Sequence, residues 1–218
     1  MDTNMLRRAL WVFLRPLLQL ITNLLSPEVG EEWLEELKKF LRKEPTWVTK
    51  VTKRVEEVVN LIQAVGEVAF PGATNFVVSE KLGVDKSETA TVKISGHGSN
   101  FSSWFLGKIE TNVAPSRLGY GKLLRRAKAA VIRAFLGGEA TAKTSLAEIH
   151  YLITLQPNGE EGALLTNGWA NIFFVRDKDH VLRLVYVFWR DGGWCWGADG
   201  LSSEVEWDDD QVFSRKVA

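Results

Sequence analysis

The chain has 218 residues, of which 45% are hydrophobic and 25% are charged, an ordinary composition for a globular protein. Its 27 basic and 27 acidic side chains cancel, which argues against a protein that binds nucleic acid through bulk positive charge. The single cysteine excludes an internal disulfide framework and a cysteine-rich zinc site, and it favours a reducing, cytoplasmic location.

The N-terminal segment, residues 6–25, predicts an amphipathic helix with a wide apolar face. Arg15 and Pro16 interrupt its apolar run, which argues against a signal peptide and against a membrane-spanning helix. Pro16 is expected to kink this helix or divide it. We expect the apolar face to pack on the protein's own core or on a partner subunit. Attachment of residues 6–25 to a membrane surface is the alternative.

Two further amphipathic helices are predicted before residue 67. Ser26 is a suitable N-cap for the first, and glutamates at its start and basic residues at its end match the helix dipole. The second keeps helical spacing of its apolar residues from Val48 to Val65 and ends at Gly66. We therefore predict a helical region over residues 1–66 and an α+β domain over residues 67–218.

After residue 67 the pattern changes to short strands and short helices. Strands are predicted in NFVVSEKL and ETATVKISG, with a turn around Gly83 between them. A short helix is predicted in GHGSNFSSWFLGKIE, and a basic helix in the second half of PSRLGYGKLLRRAKAAVIRAFLGG. A further helix in TSLAEIHYLITLQPNG is expected to begin at a cap formed by Thr144 or Ser145.

The last third of the chain predicts an antiparallel meander. Strands are expected in ALLTNGWANIFFV, VLRLVYVFW and WCWGA, because short turns, RDKDH and RDGG, separate them. Both faces of VLRLVYVFW are largely apolar, so this strand is expected to be central and covered on both sides. QVFSR is expected to be a last strand. The predicted fold class is α+β, with N-terminal amphipathic helices followed by a mainly antiparallel sheet and packed helices.

Four segments of the second part resemble segments of uncharacterised bacterial proteins: SNFSSWFLGKIE, FLGGEATAKTSLAEI, NGEEGALLTNGWANIFFVRD and DDQVFSR. The resemblance covers about residues 92–215 and leaves the predicted N-terminal helices less similar. It implies a recurring bacterial module. Because that group has no assigned activity, the resemblance implies no catalytic residue.

The candidates for catalysis are a histidine in a glycine-rich turn and the single cysteine. His97 lies between two glycines close to Ser99, and a pair of His97 with Ser99 or with Cys195 would supply a nucleophile and a base. We prefer a turn histidine and a cysteine packed in a strand as a small hydrophobic residue, so no catalytic residue is predicted. The acidic run EVEWDDDQ lacks the layout of a calcium loop, and we predict no metal site and no cofactor.

Two groups of residues are candidates for binding. Trp194 and Trp196 share one face of a predicted strand. If exposed, they form a stacking platform for a sugar ring, a base or a peptide; if buried, they fill a core. Arg125 and Arg126, on the predicted basic helix next to Tyr120, are placed to contact phosphates, unless that helix is a solvated face or faces the acidic residues near the C-terminus.

These patterns favour a non-catalytic binding or interaction protein that uses an aromatic sheet face or a basic helix. A protein partner or self-association is expected ahead of nucleic acid, and a membrane surface is a further candidate through residues 6–25. One alternative is a structural or membrane-peripheral protein that assembles through its N-terminal amphipathic helix. The other is an unrecognised hydrolase using His97 or Cys195.

Overall fold

The computed structural model describes residues 61–215 and, in addition, Leu34, Glu35, Lys38 and Arg42. The chain divides into two units, Met1–Val59 and Asn60–Ala218, and the fold described here is that of the second. The helix predicted over residues 6–25 lies outside the described residues.

Twelve strands and five helices make up residues 61–215. The strands are β1 (Ile62–Phe70), β2 (Ala73–Val77), β3 (Ile94–His97), β4 (Ile109–Val113), β5 (Ser116–Leu123), β6 (Ala127–Lys128), β7 (Lys143–Thr144), β8 (Asn171–Arg176), β9 (Leu182–Arg190), β10 (Gly193–Asp199), β11 (Glu206–Trp207) and β12 (Gln211–Arg215). The helices are α1 (Val78–Lys81), α2 (Ser99–Phe105), α3 (Ala129–Phe135), α4 (Glu139–Ala142) and α5 (Leu146–Thr154).

One eight-stranded sheet organises this unit. Its strand order is β1-β5-β12-β8-β9-β10-β3, and the short strand β7 pairs with β8 off this path. Most neighbours are antiparallel, whereas β12 runs parallel to β8 and β3 runs parallel to β10. Two small ribbons, β2 with β4 and β6 with β11, accompany the sheet. The described part is therefore an α+β fold with a mainly antiparallel sheet, as predicted.

Each face of the sheet carries its own hydrophobic core, and β9 contributes to both. Val185 and Val187 belong to one core, here called the first core, while Leu182 and Leu184 belong to the second core. Helices α1, α2 and α5 supply the first core, and α3 and α4 supply the second. The prediction that VLRLVYVFW is a central strand covered on both sides is confirmed.

Several locally encoded elements are confirmed by the structure. The meander is present as β8, β9 and β10, and QVFSR forms β12. Ser145 is the N-cap of helix α5: its hydroxyl accepts the backbone N–H of Glu148, while the Glu148 carboxylate accepts the backbone N–H of Ser145. This reciprocal capping box satisfies two backbone donors that a helix start would otherwise leave unpaired.

The helix predicted to end at Gly66 is wrong for its last five residues, because β1 begins at Ile62. Residues from Ile62 to Phe70 pair antiparallel with β5, with a bulge at Val65 that shifts their alternation. A β-carbon at Gly66 would lie 2.6 Å from the Tyr120 hydroxyl oxygen, so this glycine admits the tyrosine ring rather than ending a helix.

Other boundaries differ from the predicted ones. NFVVSEKL is a strand only as far as Val77, after which α1 begins, and ETATVKISG is a strand only from Ile94 onward. The predicted basic helix is also wrong in part: α3 begins only at Ala129, and Arg125 and Arg126 lie in the connection between β5 and β6. The preceding residues form β5 because they pair with β1 on one side and β12 on the other.

No helix among the described residues is long and apolar enough to cross a membrane.

Candidate binding cleft

Of the two alternatives for Trp194 and Trp196, the structure shows the buried one, and the exposed stacking platform is wrong. Trp194 is 0% exposed and Trp196 is 1% exposed, and both belong to the first core. Phe101 of α2 covers Trp196 with its ring centroid 5.2 Å away. The indole N–H of Trp194 donates to the Gln156 carbonyl at 3.0 Å. The indole N–H of Trp196 has no hydrogen-bond partner among the described residues.

The structure brings His97 and Cys195 onto adjacent strands but turns them to opposite faces of the sheet. His97 pairs with Trp196 across β3 and β10, whereas Cys195 pairs with Gly96. His97 stacks on Phe101 in the first core, at 5.5 Å between ring centroids. Burial lowers the pKa of His97 and raises the pKa of the Cys195 thiol, so burial disfavours both the imidazolium and the thiolate. This geometry does not form a nucleophile–base pair.

Three of the basic residues after Pro115 face acidic residues near the C-terminus. Lys122 pairs with Asp209 at 2.9 Å and Arg126 with Asp208 at 3.1 Å. Lys128 pairs with Glu204. The ribbon of β6 and β11 holds these two segments side by side. These three cations therefore have carboxylate partners within the fold, which is the alternative in which the basic segment faces the acidic residues near the C-terminus.

Tyr120 and Arg125 do not join these residues in one site. The Tyr120 ring stacks on Phe213, with centroids 5.4 Å apart, and packs against the first core. It borders a depression of about 370 Å³ whose other walls come from β1, β12 and the end of α3. Arg125 is half-buried, and its Nε has no hydrogen-bond partner among the described residues.

Arg126 instead borders a cleft that combines aromatic and charged side chains, here called the Trp169 cleft. The cleft has a volume of about 500 Å³. Its walls are residues before β8 and residues around β11, with Arg126 between them: Arg126, Gly168, Trp169, Ala170, Val205, Glu206, Trp207, Asp208 and Asp210. Of the sequence-predicted binding residues, Arg126 alone lines this cleft.

Trp169 gives the cleft an aromatic surface open to solvent. Six tryptophans fall among residues 61–215, and Trp169, at 47% exposure, is the one that is exposed. It follows Gly168, which has a φ of +93° that favours glycine. Trp207, on the opposite wall, is 9% exposed and packs against Tyr186 at 4.9 Å between ring centroids. One tryptophan is thus anchored in the second core while the other presents its ring to the cleft.

Asp210 joins the two walls of the cleft. Its Oδ1 accepts the backbone N–H of Ala170 at 2.8 Å, and its Oδ2 accepts the backbone N–H of Asp208 at 3.0 Å. The side chain is 4% exposed. Burial raises the pKa of Asp210, and the charges of Asp208 and Asp209 raise it further, against the effect of the two backbone donors.

The sequence does not single out Trp169 as a binding residue, and it presents Asp210 only as a member of the acidic run EVEWDDDQ. The sequence gives only a weak indication that Trp169 lies in a loop, because this residue follows the turn-forming pair Asn167-Gly168. The sequence gives no indication of the role of Asp210, because that role depends on a hydrogen bond with Ala170, forty residues away along the chain.

Comparisons of the chain with models of protein families, with curated proteins and with solved structures found no match. The resemblance to bacterial proteins over residues 92–215 stays a prediction. The proposed function therefore rests on the geometry of the Trp169 cleft alone.

Proposed function

We propose that this protein is a non-catalytic binding protein that holds a small ligand in the Trp169 cleft. The observation that carries the proposal is the exposed ring of Trp169 at the wall of a concave, charged site. Ligand sites combine an apolar or aromatic surface with a few fixed polar groups, and this cleft offers both. An exposed tryptophan is unfavourable in water, and a ligand stacked on its face would cover that surface.

The two aspartates of the cleft have structural partners, which supports binding over catalysis. Two carboxylates with different pKa values are the usual components of acid–base chemistry. Here both oxygens of Asp210 are engaged by backbone N–H groups, and the Asp208 carboxylate holds Arg126. Neither carboxylate is poised to exchange a proton with a substrate, because each would first have to give up a contact that shapes the cleft.

The cleft is also preorganised, which lowers the cost of binding. Asp210 fixes both walls, and the pairing of Trp207 with Ala127 fixes β11 against β6. The ordering of loops on binding would therefore reduce the binding free energy of a ligand only a little.

The experiment is a ligand-observed NMR screen of small molecules of mixed charge against the full chain and a Trp169→Ala variant. We expect one or more binders that the Trp169→Ala variant loses. Leu155→Ala is the matched control, because Leu155 is 52% exposed and lies outside the cleft, so it should leave binding unchanged. An absence of binders, or binders that Trp169→Ala retains, would overturn the proposal.

A further inference from the structure

We infer that the Trp169 cleft selects an organic cation, an ammonium or guanidinium group carried on an apolar body. The inference rests on the proposed function, since it names the chemical class of the ligand held there. Three features of the described residues lead to it: the balance of charge around the cleft, the exposed indole, and the spacing of the carboxylates.

The balance of charge around the cleft is negative, and one exposed carboxylate is left for a ligand. Residues 204–210 carry five carboxylates, and three of these, on Glu204, Asp208 and Asp209, are paired with cations of the fold. The remaining two are Glu206 and Asp210, which make no ion pair among the described residues and line the cleft. Asp210 is buried and both of its oxygens accept backbone N–H groups, so it contributes charge but no free oxygen. Glu206 is exposed, and Lys128, opposite it in the ribbon, is paired with Glu204, so Glu206 is the carboxylate that a ligand can reach. The residues that line the cleft therefore include three carboxylates and one guanidinium, an excess of negative charge in a concave surface.

The exposed indole favours a cation of low charge density over a neutral or anionic group. The face of a tryptophan ring carries negative electrostatic potential, and it attracts ammonium and guanidinium groups within about 6 Å of its centre. Trp169 places such a face on the same surface as Glu206 and Asp210. An organic cation would pack its apolar body on the ring and place its charge near the exposed carboxylate of Glu206.

The spacing of the carboxylates favours an organic cation over a metal ion. No three His, Cys, Asp or Glu side chains among the described residues come together as metal ligands require. A metal ion needs several short oxygen contacts at once, whereas an ammonium group is stabilised by carboxylates that surround it more loosely.

Replacing Arg126 should change the binding of a cation and of an anion in opposite directions. It is the only cation among the residues that line the cleft, and it holds Asp208 at 3.1 Å. Its removal would free one more carboxylate and take away one positive charge. An organic cation should therefore bind more tightly to Arg126→Gln, whereas a ligand that uses the guanidinium as a donor should bind more weakly.

The test compares choline with its neutral isostere 3,3-dimethyl-1-butanol by NMR titration of the full chain. We expect choline to bind about tenfold more tightly than the isostere. Arg126→Gln should strengthen choline binding by about two- to fivefold and Glu206→Gln should weaken it by a similar factor. Glu161→Gln, an exposed acid outside the cleft, is the matched control and should change nothing.

The outcomes separate this inference from the proposed function. Equal binding of choline and its isostere, or weaker choline binding by Arg126→Gln, overturns the inference. If neutral or anionic molecules bind in a way that depends on Trp169 while choline does not bind, the cleft is a ligand site for a different class and only the inference fails. If no molecule binds in a way that depends on Trp169, both fail.

Discussion

Two buried tryptophans on one strand should respond differently to the same substitution. Trp194 and Trp196 lie two residues apart on β10, both almost fully buried in the first core. Replacing either with phenylalanine removes the same ring atoms, so the loss of packing is similar at the two positions. The difference lies in the indole N–H, which has a partner at Trp194 and has none among the described residues at Trp196.

The magnitude follows from those two hydrogen-bonding states. Trp194→Phe loses one hydrogen bond, a net cost of about 1 kcal/mol, because the Gln156 carbonyl still accepts the backbone N–H of Gly159 at 3.1 Å. Trp196→Phe removes a buried unpaired donor, which recovers about 1–3 kcal/mol of desolvation. Trp194→Phe should therefore be the more destabilising substitution by about 2–4 kcal/mol.

The assay is equilibrium unfolding in urea followed by far-UV circular dichroism, since each variant lacks one of the native fluorophores. The free energies of unfolding of the two variants are compared directly, and the packing cost that they share cancels. If Trp196→Phe destabilises the fold as much as Trp194→Phe, the reasoning is refuted, and the indole of Trp196 has a partner in solution.

Three further predictions concern stability. Because the pKa of Asp210 is raised in the folded state, the contribution of this side chain to the free energy of unfolding should increase as the pH falls from neutral through that pKa. The free energy of unfolding of the wild type minus that of Asp210→Asn should therefore be larger at pH 4.5 than at pH 7, and a smaller difference at pH 4.5 contradicts this. Glu148→Gln should cost about 1–3 kcal/mol in urea unfolding, because it removes the buried charge to which Arg215 donates its hydrogen bonds, and a cost below about 0.5 kcal/mol would show that the pair is dispensable. Gly197→Ala should lower stability by about 1–3 kcal/mol in thermal unfolding, because a β-carbon there would lie 2.1 Å from a tyrosine ring, while Gly96→Ala, with open space around it, serves as the neutral control.

The elements that the sequence predicts well are those specified by nearby residues. The turns RDKDH and RDGG are short enough to force antiparallel pairing of β8, β9 and β10. Helix α5 carries its own start signal, since Ser145 and Glu148 cap each other within one turn. The two turns and the cap each span fewer than ten residues, so a pattern along the chain contains them.

The elements that the sequence predicts poorly depend on distant partners. The stretch from Ile62 to Val65 has helical spacing, yet it pairs as a strand with residues about sixty positions later. The burial of Trp194 and Trp196 depends on which face of the sheet the helices cover, and a strand's own alternation does not specify that face. The Trp169 cleft likewise forms only where Asp210 meets Ala170.

The position of β12 has a consequence for biosynthesis. This strand comes last among the described elements, yet it lies inside the sheet, between β5 and β8. Until residues 211–215 have left the ribosome, the strands of the sheet can pair only as two unconnected parts, β1 with β5 and β8 with β9, β10 and β3. Each part then exposes a strand edge that the finished protein covers. A nascent chain stalled before Gln211 is therefore a form in which chaperones, or edge-to-edge aggregation, compete with native pairing.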